Sequence, residues 1–162
     1  MTDELETGTV LPGPAALYRA VATAEMVTWA LLLLAMVLKY TGVSEALMST
    51  AGGLHGFVFL CYCVVAVGVW INQRWTAGRG LGAVLLAVVP FATLPFERSL
   101  ARRGEPDETW RLADGNAPRG FWENLEAWAL RNVALALIVV VAVVVVVFAT
   151  LLMAGPPDQW FG

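Results

Sequence analysis

The chain has 162 residues, 59% of them hydrophobic and 14% charged, against about 25% charged in an ordinary soluble domain. With a mean hydropathy of +0.70, this composition argues against a water-soluble globule and for an all-α membrane protein. The net charge of −3 hides a polarity, with acidic residues at the N-terminus (Asp3, Glu4, Glu6) and arginines crowded into residues 98–131; this reports membrane orientation and offers no basic stripe to nucleic acid.

In chain order, residues 1–16 are acidic, carry Pro12 and Pro14, and lack the basic segment of a secretory signal, so they read as a flexible tail. A first apolar span runs from about Leu17 to Tyr40, with Pro14 before it and Gly42 after it as start and stop signals. A second runs from about Ala51 to Ile71 and ends at Asn72-Gln73-Arg74. Each has the roughly 20 apolar residues a crossing helix needs.

The third segment, Gly80 to Phe96, is near the lower length limit for a span and contains Pro90 and Pro95. It is either a short kinked crossing or a re-entrant segment held by surrounding protein. If it crosses, Lys39, Arg98, Arg102, Arg103, Arg111, Arg119 and Arg131 share one face, and Arg19, Arg74 and Arg79 the other. If it only dips in, Lys39 stands alone against all other basic residues, and the charge rule prefers this arrangement. Segment length and the resemblance given below prefer the crossing. Four crossings are therefore expected, in the cell membrane, with the 97–127 loop cytoplasmic in either case.

Residues 17–103 thus form a three-helix membrane core, and 104–127 a cytoplasmic loop punctuated by Pro106, Gly115 and Pro118. Apolar spacing from Phe121 to Trp128 predicts a short amphipathic helix lying at the interface. Trp110, Phe121, Trp122 and Trp128 are expected at the bilayer boundary or on a surface that docks a partner. Residues 128–162 hold the fourth span, ended by Gly155-Pro156-Pro157. Its valine-rich centre is apolar all round and faces lipid or another protein.

The ionisable residues in or beside the spans are Arg19, Glu25, Lys39, His55, Arg79, Glu97 and Arg98. His55 is the single histidine, and an intramembrane ionisable group is a functional hypothesis by default. Helical rise sets Glu25 about 12 Å from one face and His55 about 6 Å from the other, which argues against a direct pair. With a crossing third segment, the expected clusters are Glu25 with Arg19 or Arg79, and His55 with Glu97. Such pairs orient helices more often than they catalyse. Gly52-x-x-x-Gly56 fits close helix packing.

Cys61 and Cys63 point about 200° apart on a helix and read as small apolar packing residues. A single histidine cannot supply bis-His haem ligation within one chain. No cofactor, metal or catalytic residue is expected.

Residues 17 to about 103 resemble a family of small integral membrane proteins, common in actinobacteria and some Bacillus relatives, with no established function. The resemblance rests on Arg19, Ala24-Glu25, the leucines at 31–34, Leu38-Lys39-Tyr40, His55-Gly56 opening the second helix, the basic loop Arg74 to Arg79, and Phe96-Glu97-Arg98 closing a proline-bearing third helix. Family members usually carry glycine after the glutamate. Met26 stands there in this chain, which removes that reason for close backbone packing. The resemblance implies a fold and no activity, and marks the fourth span as an addition. The expected function is that of a non-enzymatic accessory or assembly subunit docking on larger membrane-protein subunits, with respiratory cytochrome assemblies as one candidate. The alternative is a small stand-alone transporter or proton- or quinone-handling protein centred on His55, Glu25 and Glu97.

Overall fold

The computed structural model describes residues 11–113 and 115–154. The acidic residues Asp3, Glu4 and Glu6 and the Gly155-Pro156-Pro157 stop lie outside them. The described residues form helices and connecting turns: α1 (Pro14–Tyr40), α2 (Ala46–Asn72), α3 (Ala77–Leu85) running into a 3-10 turn (Leu86–Val88), α4 (Thr93–Ala101), α5 (Gly120–Arg131) and α6 (Val133–Ala154).

Three of these, α1, α2 and α6, are long and apolar enough to cross a membrane. α1 starts on Pro14, where the missing N–H costs nothing. It therefore begins inside the stretch that reads as a tail. Gly13, just before it, lies so close to the loop that a Cβ there would overlap the Glu108 carbonyl. α1 and α2 are each 27 residues long, or about 40 Å, which exceeds the roughly 30 Å hydrocarbon core. They pack antiparallel along Tyr18, Ala22, Glu25, Thr28 and Ala35 on one side and Ala51, His55, Tyr62, Ala66 and Val69 on the other. The spacing is helical. The seam alternates small residues, which let the backbones approach, with polar ones, which bond across it.

The third segment does not make the fourth crossing. It enters as α3, breaks, and returns as α4. Val89 adopts an extended backbone (ψ 120°), as a residue preceding proline prefers, and Phe91 turns through a left-handed conformation (φ 63°). Pro95 sits in the first turn of α4, where an N–H has no intrahelical partner anyway. Three contacts fix the depth of this hairpin. At its mouth, Arg79 pairs with Glu105. At its tip, the Trp29 indole N–H donates to the Ala87 carbonyl at 3.1 Å, and the Thr93 hydroxyl donates to Glu25 at 2.8 Å. Trp29 thereby satisfies a carbonyl next to the helix break, which lipid could not do. Both ends of the hairpin lie where α1 begins and α2 ends. α3 sits tightly on α2, since a Cβ on Gly80 would fall within the Trp70 ring.

The 102–119 loop closes this end of the bundle. Trp110 donates to the Pro12 carbonyl at 2.9 Å, and Arg111 reaches the Asn72 carbonyl at 2.7 Å. α5 follows, and α6 then runs along α2 towards its start, where Phe148 meets Gly53, Gly56 and Phe57. A Cβ on Gly56 would approach the Phe148 ring to 3.3 Å. Val144 is the buried residue of α6.

Candidate functional site

The buried polar groups form two layers. The deeper one lies within the α1–α2 seam under the hairpin tip. Glu25 and Thr93 are fully buried, and Thr28 and His55 nearly so. Glu25 Oε2 accepts from Thr93, whereas Glu25 Oε1 has no hydrogen-bond partner among the described residues. The Thr28 hydroxyl donates to the Glu25 backbone carbonyl at 2.9 Å and lies 3.1 Å from His55 Nδ1. A hydroxyl has one proton. With that proton on the carbonyl, Thr28 accepts from His55 Nδ1–H. Trp29 covers the imidazole, with ring centroids 4.4 Å apart. About two turns towards the hairpin mouth, the Tyr18 and Tyr62 hydroxyls are 2.8 Å apart, and Tyr62 donates to the Ala83 carbonyl at 2.9 Å. Each element of the hairpin is thus bonded to α1 or α2 through a side chain.

The second layer lies at the hairpin mouth. Arg19 pairs with Glu97 at 2.9 Å and Arg79 with Glu105. Glu123 on α5 is held by both nitrogens of a guanidinium fork from Arg74, at 2.7 and 3.0 Å, by Arg111 at 3.1 Å, and by the Arg119 backbone N–H at 2.7 Å. The Arg74 bonds, more than any other contact, pull the Glu123 carboxyl down to about 2. One turn along, neither oxygen of Glu126 makes a close hydrogen bond among the described residues, and Asn72 and Arg111 lie near enough only to moderate the effect of burial. It borders a mainly apolar hollow lined by Leu17, Val65, Leu130 and Leu137, and burial pushes its carboxyl up to about 7.

These pairings differ from the expected ones, and one cause explains both differences. Arg19 and Arg79 do not meet Glu25, and Glu97 does not meet His55. Because α4 turns back, Glu97 emerges at the depth of Arg19 instead of at the opposite face. His55 and Glu25 make no direct bond, but they lie closer in depth than expected, because Thr28, one turn from Glu25 on α1, reaches His55 and links them. Lys39 closes α1, half-buried at the far end, and Arg98 is exposed on α4. Trp110 is buried against Pro12, so it anchors the loop and not the bilayer boundary. Phe121, Trp122 and Trp128 are exposed along α5.

Sequence reasoning missed Thr28, Trp29, Tyr62, Thr93, Arg74 and Glu123. For the first four, the available signal is a polar tip within an apolar run, since a hydroxyl or indole N–H buried in lipid must find a partner. Among the described residues, no group of three or more His, Cys, Asp and Glu is arranged to hold a metal ion.

The family described as a domain of unknown function, DUF3817, matches residues 15–102, which cover α1 to the end of α4. A protein of Streptomyces coelicolor, named provisionally as a membrane protein, is 41% identical over 86 residues, covering 52% of this chain. The match takes in 10% of that relative, so the chain spans only a small part of its length. No solved structure matches. The chain belongs to the DUF3817 family, and it is a membrane protein.

Proposed function

We propose that this DUF3817 member is a non-enzymatic integral membrane protein serving as an accessory or assembly subunit of a larger membrane complex. The observation that carries the reading is α6. It is 22 residues of almost pure aliphatic character, with Val144 as its buried residue and Phe148 packed against Gly53, Gly56 and Phe57 of α2. A helix so lightly held by its own chain has a long face available to another one. The Streptomyces relative adds support, because there the matching segment is part of a far longer polypeptide. The buried polar groups of α1 to α4 bond mainly to one another and to backbone carbonyls, the pattern of groups that position helices. Respiratory cytochrome assemblies are one partner class consistent with this role.

Orientation follows from charge. With the hairpin folded back, Arg19, Arg74, Arg79, Arg98, Arg102, Arg103, Arg111, Arg119 and Arg131 gather at one end and Lys39 alone at the other. The positive-inside rule makes the arginine-rich end cytoplasmic in the cell membrane. The start of α1, the 97–127 loop and α5 are then inside, and the end of α6 is outside.

Purification of the tagged full chain in mild detergent, followed by mass spectrometry, tests the role. A larger membrane polypeptide at fixed stoichiometry is expected, and recovery as a lone homo-oligomer overturns the reading. A second reading, proton handling, is favoured by the unpartnered Glu25 Oε1 beside the His55–Thr28 pair. Proton flux into liposomes carrying the chain, abolished by Glu25→Gln, would establish it.

A further inference from the structure

We propose that the groove between α1 and α4 is a binding site for the phosphate headgroup of an anionic phospholipid. Its upper wall carries Arg19 from α1, Arg98 from α4 and Arg102 capping the end of α4, with Glu97 between them. Its lower wall is Met26 and Leu94, and the cavity measures about 610 Å³. Arg98 and Arg102 are four residues apart and project from the same flank of α4. Glu97 accepts from Nε of Arg19 and is nearly buried, whereas the Arg19 side chain is 62% exposed. The carboxylate therefore holds the guanidinium in place from behind while its outer edge stays open. Three arginines against one glutamate give the groove itself a positive excess, with Asp107 and Glu108 on the far side of Arg19, so Arg98 and Arg102 carry most of it.

Depth decides what kind of anion fits. Arg19 lies about 10 Å nearer the membrane surface than Met26 on the same helix. The groove thus presents cations at headgroup level and apolar side chains one to two turns below, on a flank that opens to lipid. That gradient matches an amphiphile whose phosphate meets the arginines and whose acyl chain lies along Met26 and Leu94. Arginine forks suit phosphate oxygens, and a basic pocket between membrane helices is a recurrent headgroup site. A soluble anion would use the upper wall alone.

The test uses the full chain in nanodiscs made of equal parts phosphatidylcholine and phosphatidylglycerol, with native mass spectrometry counting the lipids retained on release. Preferential retention of phosphatidylglycerol is expected, weakening as salt is raised. The double substitution Arg98→Gln with Arg102→Gln should lower the apparent affinity about 30-fold. Arg131→Gln, on α5 and away from the groove, should leave it unchanged. Inorganic phosphate should not displace the lipid. Equal retention of phosphatidylcholine, undiminished retention by the double variant, or displacement by inorganic phosphate would each overturn the proposal. Melting temperatures of the variants report whether they fold. Should the double variant fail to fold, the salt series on the unmodified chain still decides, because salt-independent retention overturns it too.

Discussion

α1 to α4 and α6 pack in one bundle but are held in opposite ways. In the first region the interior is where the polarity is, with Glu25, Thr28, His55, Tyr18, Tyr62 and Thr93 buried and bonded across helix pairs. In α6 the polar content is negligible, and the aliphatic side chains mostly face outward. A soluble protein would bury the valines and expose the glutamate. In lipid, apolar surface gives no preference for protein over solvent, so position is encoded by groups that lipid cannot satisfy and by close backbone approach. α1 to α4 carry many such instructions. α6 carries few, chiefly Phe148 against Gly53 and Gly56.

The contrast can be broken in order of expected effect. The largest is at Gly80, where any Cβ meets the Trp70 ring. Gly80→Val should separate α3 from α2 and cost about 1–3 kcal/mol, as overpacked cores do, read as a lower melting temperature in detergent. An unchanged melting point would mean that the hairpin is not held where the structure has it. Next is the Thr93–Glu25 bond. Thr93→Val and Glu25→Gln in a double-mutant cycle should show coupling of about 0.6 kcal/mol, with an upper bound near 1.7. Strict additivity would remove this bond from the set of hairpin anchors.

A smaller effect concerns pH at α5. Glu123 is held down to about 2 by Arg74, so its contribution is complete above the ordinary carboxylate value near 4.5 and fades as pH falls from there towards 2. Glu126 is raised to about 7 by burial, and the sign reverses. Between about 4.5 and 7 the folded chain holds a proton that the unfolded chain has released, so stability declines as pH rises and levels off above 7. Hydrogen exchange of α5 amides should therefore be slowest near pH 4.5 to 5 after correction for intrinsic rates, and Glu126→Gln should flatten the decline between pH 5 and 7. A decline that persists in that variant would reassign it to another group. The smallest effect is on α6. Val139→Ala, Val143→Ala or Val146→Ala should each change the melting of the isolated chain by less than about 0.5 kcal/mol. A loss comparable to Gly80→Val would erase the distinction between the two regions.

The same contrast governs how much was legible in the sequence. The three long helices follow from long, mostly apolar runs, and the existence of the helix α5 follows from the spacing of Phe121, Trp122, Leu125 and Trp128. The hairpin was half legible. Pro90 marks a break, but a break does not say whether the chain continues or returns. The crowding of basic residues against a lone Lys39 pointed to a return, while segment length pointed the other way. That choice carried the polar pairs with it, because depth arithmetic turned a wrong direction for α4 into wrong partners for Glu97 and Glu25. Thr28 and Thr93 stand out as polar tips in apolar runs, but their partners were not legible. Threonine is common in membrane helices, where it can bond to its own backbone, and only the fold reveals which ones reach across.

The hairpin tip bonded to Trp29 has one more consequence, which concerns shape. α3 and α4 end level with the middle of α1, so among the described residues five helices, α1 to α4 and α6, share the arginine-rich half of the bundle and three continue past the hairpin tip. The described helices thus taper, broad at the arginine-rich end and narrow at the other. Val88, Val89 and Phe91 are exposed at the tip, where the taper begins. A bilayer around such a taper would meet unequal cross-sections on its two sides, and one curved to favour the broad end would accommodate it with the least deformation.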